Sequence, residues 1–180
     1  MPEMPDERDP RGWGHIAQRA TPAERDGVRA MLAARFGADA VWTAPQAIQP
    51  VRRPPRPRIP AALSHLISAD PDVRLLHAVG RSFSDLVALR ETGVDLLPDL
   101  VATPTDAAGV RAVLEWCADD GLACIPFGGG TSVVGGVTAG GVADQRAVVT
   151  LQTRAMDSVI EVDRTSRAAL IQAGATGPGL

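Results

Sequence analysis

The 180-residue chain lacks three residue types altogether, since it contains no lysine, no asparagine and no tyrosine. All 18 of its basic residues are arginines. Abundant Ala, Gly, Pro and Arg accompany these gaps, a composition that a GC-rich coding sequence produces. Without lysine the chain can form neither a Walker A phosphate loop nor a Schiff base, and without tyrosine it has no phenolic acid or base. These absences exclude several classes of catalytic site.

A strong excess of charge is also missing, because 18 basic residues face 21 acidic ones and the net charge is −3. A nucleic-acid binder is expected to carry a clustered basic excess, so no nucleic-acid partner is expected. Long apolar runs are missing too, and no stretch reaches the roughly 18 uninterrupted residues that a membrane helix needs. We therefore expect no membrane span.

Cysteine is scarce, with only Cys117 and Cys124 in the chain and no histidine at ligand spacing. Neither a zinc site nor a disulfide framework is indicated, so we expect no metal. Residues 1–10 are acidic and Pro-rich, and they lack the basic start and apolar run of a secretory signal. These features predict a cytoplasmic, reducing location.

The first half of the chain contains one clear helix signal. Thr21 and Glu24 form a capping box around Pro22, and Gly37 stands where a left-handed cap would end the helix. Apolar residues recur between them at helical spacing: Val28, Met31, Leu32 and Phe36. The pattern predicts a short amphipathic helix.

A Pro-rich segment follows, with six prolines and four arginines between residues 45 and 60. The composition favours an extended, solvated linker, with contact between a phosphate and the arginines (Arg52, Arg53, Arg56 and Arg58) as the alternative. Apolar spacing then predicts a short helix over residues 59–67, a short strand over 73–79 and a helix over 82–89.

From residue 98 onward the predicted elements alternate. A short strand at Leu100 precedes a helix that Thr105 can cap and Gly121 ends, and residues 122–127 read as a buried strand. The inner face of the helix is predicted to comprise Val110, Val113, Leu114 and Cys117. A loop with seven glycines between residues 128 and 141 leads to apolar runs at 148–151, 159–162 and 169–173. The order predicts an α+β fold, with a parallel crossover first and antiparallel pairing afterwards.

The segment that carries chemistry lies directly after the predicted buried strand. It comprises Pro126, Phe127, Gly128, Gly129, Gly130, Thr131 and Ser132. Three consecutive glycines can take backbone angles closed to other residues, so their N–H groups can converge on an anion such as a pyrophosphate, and the two hydroxyls add donors. The segment fails the Rossmann fingerprint, because Val133 occupies the position of the third glycine. Glycines also serve ordinary turns, so the segment alone leaves a structural role open.

The wider context of this segment resembles a known family. The order and spacing closely resemble the FAD-binding domain shared by the vanillyl-alcohol oxidase and p-cresol methylhydroxylase (PCMH) family, and upstream motifs resemble its alkylglycerone-phosphate synthase branch. The residues that carry the resemblance are 98–101 with 104–105, 125–132, 159–163, 173–177, 77–85, 89–90 and 12–14.

This resemblance implies a PCMH-type flavoprotein that binds the FAD pyrophosphate through the seven residues 126–132. It divides the chain into a helical, Pro-rich amino-terminal extension (1–92) and the first part of an FAD-binding domain (93–180). The family continues with a second glycine-rich segment and a cap domain, so we expect a fragment that is inactive alone, with the missing part as a possible separate partner chain. The implied function is the FAD-binding part of an FAD-linked oxidoreductase of ether-lipid synthesis. The alternatives are a 2-hydroxyacid or alcohol dehydrogenase, a non-catalytic remnant, or a split subunit.

The other chemically capable side chains are expected to be structural. His77 falls in the predicted strand at 73–79 and lacks a placed carboxylate partner, so a packed, hydrogen-bonded histidine is favoured over a base. Arg81 and Arg90 could contact either substrate or a neighbouring helix, and we expect the second. Cys117 and Cys124 are expected to be small core residues. No catalytic residue is assigned.

Overall fold

The computed structural model describes residues 8–9, 12, 14, 16–37, 56–91, 97–141, 147–177 and 180, and four α-helices and six β-strands lie within them. In chain order they are α1 (Pro22–Phe36), β1 (Ile67–Ser68), α2 (Pro71–Leu76), α3 (Phe83–Glu91), β2 (Leu100–Ala102), α4 (Ala107–Asp119), β3 (Ala123–Phe127), β4 (Val148–Gln152), β5 (Val159–Asp163) and β6 (Ala168–Ile171). The predicted α+β class is confirmed.

The main sheet has four strands in the order β1-β2-β4-β3. β2 and β3 both run parallel to β4, and β1 is antiparallel to β2. The expected parallel direction of β2 and β3 is confirmed, but the antiparallel pairing expected for β4 is wrong because β4 inserts between them. All five residues of β4 are buried, as befits the interior strand of a parallel sheet that is covered on both faces. β3 therefore lies at the edge and is only partly buried, contrary to the buried strand predicted there.

Both faces of the sheet are covered by helices. Alternate residues of β2 and β4 pack against α4 in the larger cluster, which contains Leu63, Leu100, Ala102, Val113, Trp116, Cys117, Val149 and Leu151. A second cluster is contributed by α2, α3 and the turn between them, and it contains Leu75, Ala78, Val79, Leu86 and Leu89. Because side chains alternate along a strand, Gln152 of β4 faces away from α4, and His77 at the end of α2 contacts it on the other face.

The inner face of α4 is only partly as predicted. Val113 and Cys117 are buried, but Leu114 is 47% exposed and Trp116 takes its place in the core at 7% exposure. Residues three and four positions apart share one face of a helix, which places Trp116 and Cys117 beside Val113 and rotates Leu114 away.

The caps of α4 also need one correction. Asp106, not Thr105, is the N-cap, and its carboxylate accepts a 2.7 Å hydrogen bond from Gly109 N–H. Gly121 follows the helix with φ +64°, which confirms the predicted stop.

The strand predicted over residues 73–79 is wrong, since α2 occupies most of it. Asp70 caps this helix by accepting hydrogen bonds from Asp72 N–H and Val73 N–H, and Pro71 fills the first helical position. A capping aspartate followed by proline outweighs a short apolar run. The helix predicted over 59–67 is a 3-10 helix at Ala61–Leu66, and Ile67 already belongs to β1.

The first helix matches its prediction in sequence but not in packing. The capping box of Thr21 and Glu24 is present, and Gly37 caps the end with φ +90°. No residue of α1 is buried, and Met31 and Phe36 are 60% and 72% exposed. Of the predicted apolar face, Leu32 is partly buried, and Val28, Met31 and Phe36 are exposed within the described structure. Of the helices within the described ranges, none is long and apolar enough to cross a membrane.

The end of the Pro-rich segment is held by an ion pair. Arg56 donates two side-chain hydrogen bonds to the buried Asp99, at 3.0 and 2.9 Å, and its backbone N–H donates a third at 3.1 Å. For Arg56 the expectation of a merely solvated linker is wrong, while Arg52 and Arg53 lie outside the described residues. The boundary predicted between residues 92 and 93 also falls outside them and stays a prediction.

Candidate functional site

The glycine loop begins where β3 ends, and its shape depends on Phe127. The Phe127 side chain is completely buried, and Gly130 lies over its ring with φ +70°. A Cβ atom at position 130 would lie only 2.6 Å from the ring carbon Cζ. Glycine is therefore required here both by the backbone angle and by the close approach.

Gly128 and Gly129 differ from Gly130 because nothing crowds them. A Cβ at Gly128 would meet only the Thr153 hydroxyl at 3.9 Å, and one at Gly129 only the Thr131 methyl at 3.6 Å. Both glycines are exposed, and together with Thr131 they line a cavity. Their lack of side chains leaves main-chain atoms accessible to a ligand at this wall.

The cavity has a volume of about 330 Å³, within the range of small-molecule sites. A second wall is the turn after β6, residues 173–176, in which a Cβ at Gly174 would collide with backbone atoms of Thr153 and Arg154. A third wall comes from the amino-terminal residues Gly12, Gly14 and Gln18. The cavity therefore joins three segments that are far apart in sequence.

Three arginines give the cavity its electrostatic character. Arg8, Arg81 and Arg154 are among the described residues that line it, and no described lining residue is acidic. A guanidinium matches phosphate oxygens in geometry as well as in charge. These arginines therefore favour the binding of an anion in the cavity.

Arg81 has a structural role and a position at the cavity. Its side chain donates to the Gly80 carbonyl at 2.9 Å, and its backbone N–H donates to the Ser132 carbonyl at 2.7 Å. Arg81 thus has a structural role as expected, but these partners are loop residues and not a neighbouring helix. Sequence reasoning missed its place in the cavity wall. Arg90 lies in the last turn of α3 and is exposed.

The seven predicted loop residues do not all face the cavity. Gly128, Gly129 and Thr131 line it, whereas the Ser132 hydroxyl accepts a 3.1 Å hydrogen bond from Gly136 N–H within the loop. The remaining three shape the approach to the loop: Pro126 is exposed in β3, Phe127 is buried beneath the loop, and Gly130 packs on Phe127. Arg8 and Arg154 were missed, because nothing in the sequence separates them from the other arginines.

His77 connects α2 with β4 next to the site. Its Nδ1 lies 2.7 Å from the Val73 carbonyl and its Nε2 lies 2.9 Å from the Gln152 amide nitrogen. The carbonyl can only accept, so Nδ1 carries the hydrogen and Nε2 accepts from the amide. Gln152 Oε1 in turn accepts from Arg154 N–H at 3.1 Å. The prediction of a packed, hydrogen-bonded histidine is confirmed, although His77 caps a helix and does not lie in a strand.

The two cysteines belong to the core. Cys117 is buried and Cys124 is partly buried against the same apolar cluster. A hydrogen bond from Cys117 lowers the pKa of the Cys124 thiol, and the same bond together with burial raises the pKa of the Cys117 thiol. The prediction that both are small core residues is confirmed for Cys117 and holds in part for Cys124.

Comparison with known proteins finds a family match in the second half of the chain. The sequence model of a family described as the FAD binding domain matches residues 98–180. Residues 98–180 are thus similar to an FAD binding domain. The match covers the glycine loop and the turn after β6, and it leaves the amino-terminal wall of the cavity outside.

Curated relatives of this FAD binding domain are alkyldihydroxyacetonephosphate synthases. The protein from Trypanosoma brucei brucei is 31% identical over 114 residues, which is 63% of this chain and 19% of the relative. The protein from Dictyostelium discoideum is 34% identical over 107 residues, 59% of this chain and 17% of the relative. The chain therefore matches less than a fifth of the length of these relatives.

Solved structures show the same fold. An alkyldihydroxyacetonephosphate synthase solved in space group P1 superposes with a TM-score of 0.79 at 24% identity, covering 97% of this chain and 38% of that one. A second crystal form of such a synthase gives 0.77 at 23% identity, with 96% and 38% covered. The likeness extends over the extension as well as the FAD binding domain.

The lining of the cavity suits the pyrophosphate group of FAD. The FAD pyrophosphate carries two negative charges, and the cavity offers arginines together with glycine backbone that no side chain shields. FAD is thus the cofactor that both the family and the local chemistry indicate.

Proposed function

We propose that this cavity is the FAD pyrophosphate site, with the main chain of residues 128–131 as its cradle and Arg81 and Arg154 as flanking cations. The observation that carries the proposal is the convergence of the open glycines, the turn at 173–176 and the arginines on one cavity. Backbone N–H groups of successive loop residues form anion sites of this type, and a buried guanidinium strengthens them.

The residues of this chain would bind and orient the cofactor. Bound FAD supplies flavin redox or carbon-transfer chemistry, and the described lining residues contain neither a histidine nor a carboxylate that could transfer protons. The His77 and Gln152 pair fixes the backbone at Arg154, and Phe127 fixes the loop at Gly130. These contacts preorganise the two walls of the site.

We further propose that the chain serves an enzyme of the alkyldihydroxyacetonephosphate synthase type, which makes an ether lipid precursor in the cytoplasm. Support comes from curated relatives in three organisms that all carry this name. Because the chain matches at most 19% of their length, residues that select the substrate are expected in the parts that it does not match.

The hairpin of β5 and β6 gives a reason to expect further polypeptide around this domain. All nine of its residues are exposed, including Ile160 at 60%, Val162 at 61% and Leu170 at 57%. Large apolar patches of this kind mark interaction surfaces. We propose that polypeptide of the sort that the longer relatives contain covers the hairpin, either in the same chain or as a partner.

The proposed pyrophosphate site can be tested by replacing Gly129 with valine. Its backbone angle and surroundings accept a Cβ, so the fold should persist while the side chain blocks close approach of the phosphates. We expect at least a tenfold loss of FAD affinity, measured by flavin fluorescence and by calorimetry with ADP, with the melting temperature little changed.

The matched control is Gly27→Val, since Gly27 lies in the exposed helix α1 with nothing within 4 Å of its Cβ position. This variant should bind FAD like the unaltered chain. Unchanged affinity in Gly129→Val, at an unchanged melting temperature, would remove the loop from the site.

A further inference from the structure

The amino-terminal residues 8, 9, 12, 14 and 16–19 form a closed structure that we call the arm. Asp9 N–H donates to the Gly14 carbonyl at 2.8 Å, and Gly12 N–H donates to the Asp9 carbonyl at 3.2 Å. Arg19 donates to both carboxylate oxygens of Asp9, at 2.6 and 2.8 Å, and Asp9 is only 9% exposed. A bidentate pair of this type fixes geometry, although its Arg19 side chain is about half exposed.

Arg8 attaches the arm to the glycine loop. Its guanidinium carbon lies 5.6 Å from the centroid of the Phe127 ring, and one terminal nitrogen lies 3.4 Å from His77 Nε2. The other terminal nitrogen lies 3.6 Å from the Cβ position of Gly130. A cation this close to a buried aromatic ring is held by its quadrupole. The positive charge therefore lies at the edge of the predicted phosphate loop.

The arm also borders the cavity itself. Arg8, Gly12, Gly14 and Gln18 line it together with Gly128 and Gly129. These four residues lie about eighty or more positions upstream of the segment 98–180 that the FAD binding domain covers. The cavity is thus incomplete without the arm.

We propose that the arm is part of the cofactor site, and that Arg8 binds a phosphate oxygen of FAD while the pair of Asp9 and Arg19 holds the arm closed over it. This inference rests on the proposed pyrophosphate site. It extends that site to a segment outside the recognised domain and makes FAD affinity depend on it. The flexible Arg8 side chain is positioned before the ligand arrives, which lowers the entropy cost of binding.

Two measurements on the whole chain test the proposal. The first is the FAD dissociation constant of Arg8→Gln, for which loss of a charge-assisted hydrogen bond predicts about a tenfold increase or more. The second is the rate of tryptic cleavage after Arg8, Arg11 and Arg19, which FAD should slow. Asp9→Asn should raise both the dissociation constant and the cleavage rate. The control Arg29→Gln removes an exposed arginine of α1 whose guanidinium lies 3.8 Å from Asp26, away from the cavity lining, and should change neither.

Arg8→Lys separates binding from structure, because it keeps the charge but not the planar fork. We expect it to recover part of the affinity that Arg8→Gln loses, with melting temperatures of the free proteins alike. The inference is overturned if FAD binds Arg8→Gln as it binds the unaltered chain, or if affinity falls only in step with the melting temperature and lysine restores nothing. In those cases the loop site stands. Absence of any FAD binding to the unaltered chain overturns the loop site and the arm together.

Discussion

β4 and β5 have similar sequences and opposite environments. β4 reads VVTLQ and all five residues are buried, whereas β5 reads VIEVD and all five are exposed. β4 has strand neighbours on both sides, α4 packs on one face and His77 at the end of α2 contacts the other, while among the described residues β5 pairs only with β6. An apolar run therefore predicts a strand, but its burial depends on what the rest of the fold places against it.

The most direct test of this difference in burial is to introduce a charged side chain into each strand. Val149→Asp in β4 would bury a carboxylate at a fully buried position and should lower the free energy of unfolding by about 5 kcal/mol. Ile160→Asp in β5, where the side chain is 60% exposed, should cost less than about 1 kcal/mol and should reduce aggregation. Urea unfolding and light scattering measure both effects. Equal losses in the two variants would mean that the hairpin face is covered in solution.

Asp99 in the main sheet and Asp163 in the hairpin allow the same comparison through the pH dependence of stability. Burial tends to raise the pKa of Asp99 in the main sheet, but hydrogen bonds from the Arg56 side chain and from Val148 N–H outweigh it and lower the pKa below its usual range. The side-chain hydrogen bond from Ser166, followed by backbone N–H groups, lowers the pKa of the fully exposed Asp163 at the hairpin turn. Only the first carboxylate joins elements of the core.

A lowered folded-state pKa means that the stabilisation by Asp99 is complete above its unfolded value of about 4 and is lost as the pH falls through the folded value. Asp99→Asn should therefore cost about 3 kcal/mol at pH 7, since it weakens the charge-assisted hydrogen bonds that Arg56 and Val148 N–H donate to a buried carboxylate, and the difference from the unaltered chain should shrink below about pH 4. Asp163→Asn should have a much smaller effect at every pH. Urea unfolding at a series of pH values measures this, and a difference for Asp99→Asn that does not vary with pH contradicts the assignment.

The smallest expected difference in stability is between alanine variants of the neighbouring glycines Gly129 and Gly130. Gly130→Ala meets both the positive φ and the Phe127 ring and should cost about 2 kcal/mol, whereas Gly129→Ala should be close to neutral. Thermal unfolding of the two variants compares them directly. If Gly130→Ala were as stable as Gly129→Ala, the loop would not be held against Phe127.

Local signals in the sequence predicted much of the fold. The capping box at Thr21 and the stop at Gly121 placed the ends of two helices, because a cap involves only residues within one turn. The same kind of signal at Asp70 was overlooked, and a strand was predicted where α2 lies. The order of strands in the sheet was not predictable this way, since insertion of β4 between β2 and β3 depends on residues far apart in the chain.

The candidate site likewise has a part that the sequence predicted and a part that it did not. Its glycine loop was found because consecutive glycines, hydroxyls and a preceding strand are adjacent in sequence. Arg154 and the arm with Arg8 were not predicted from the sequence. They lie near the loop because Phe127, His77 and Gln152 contact one another and hold these segments together.

The sequence by itself determined the α+β class and the position of the glycine loop, because both depend on neighbouring residues whose conformational preferences are local. The resemblance of its motifs to a known family indicated the cofactor. Only the tertiary structure decided which apolar strand is buried and which arginines surround the loop. Whether a strand is buried and which charges lie together depend on contacts between residues far apart in the sequence, and these contacts form only when the chain folds.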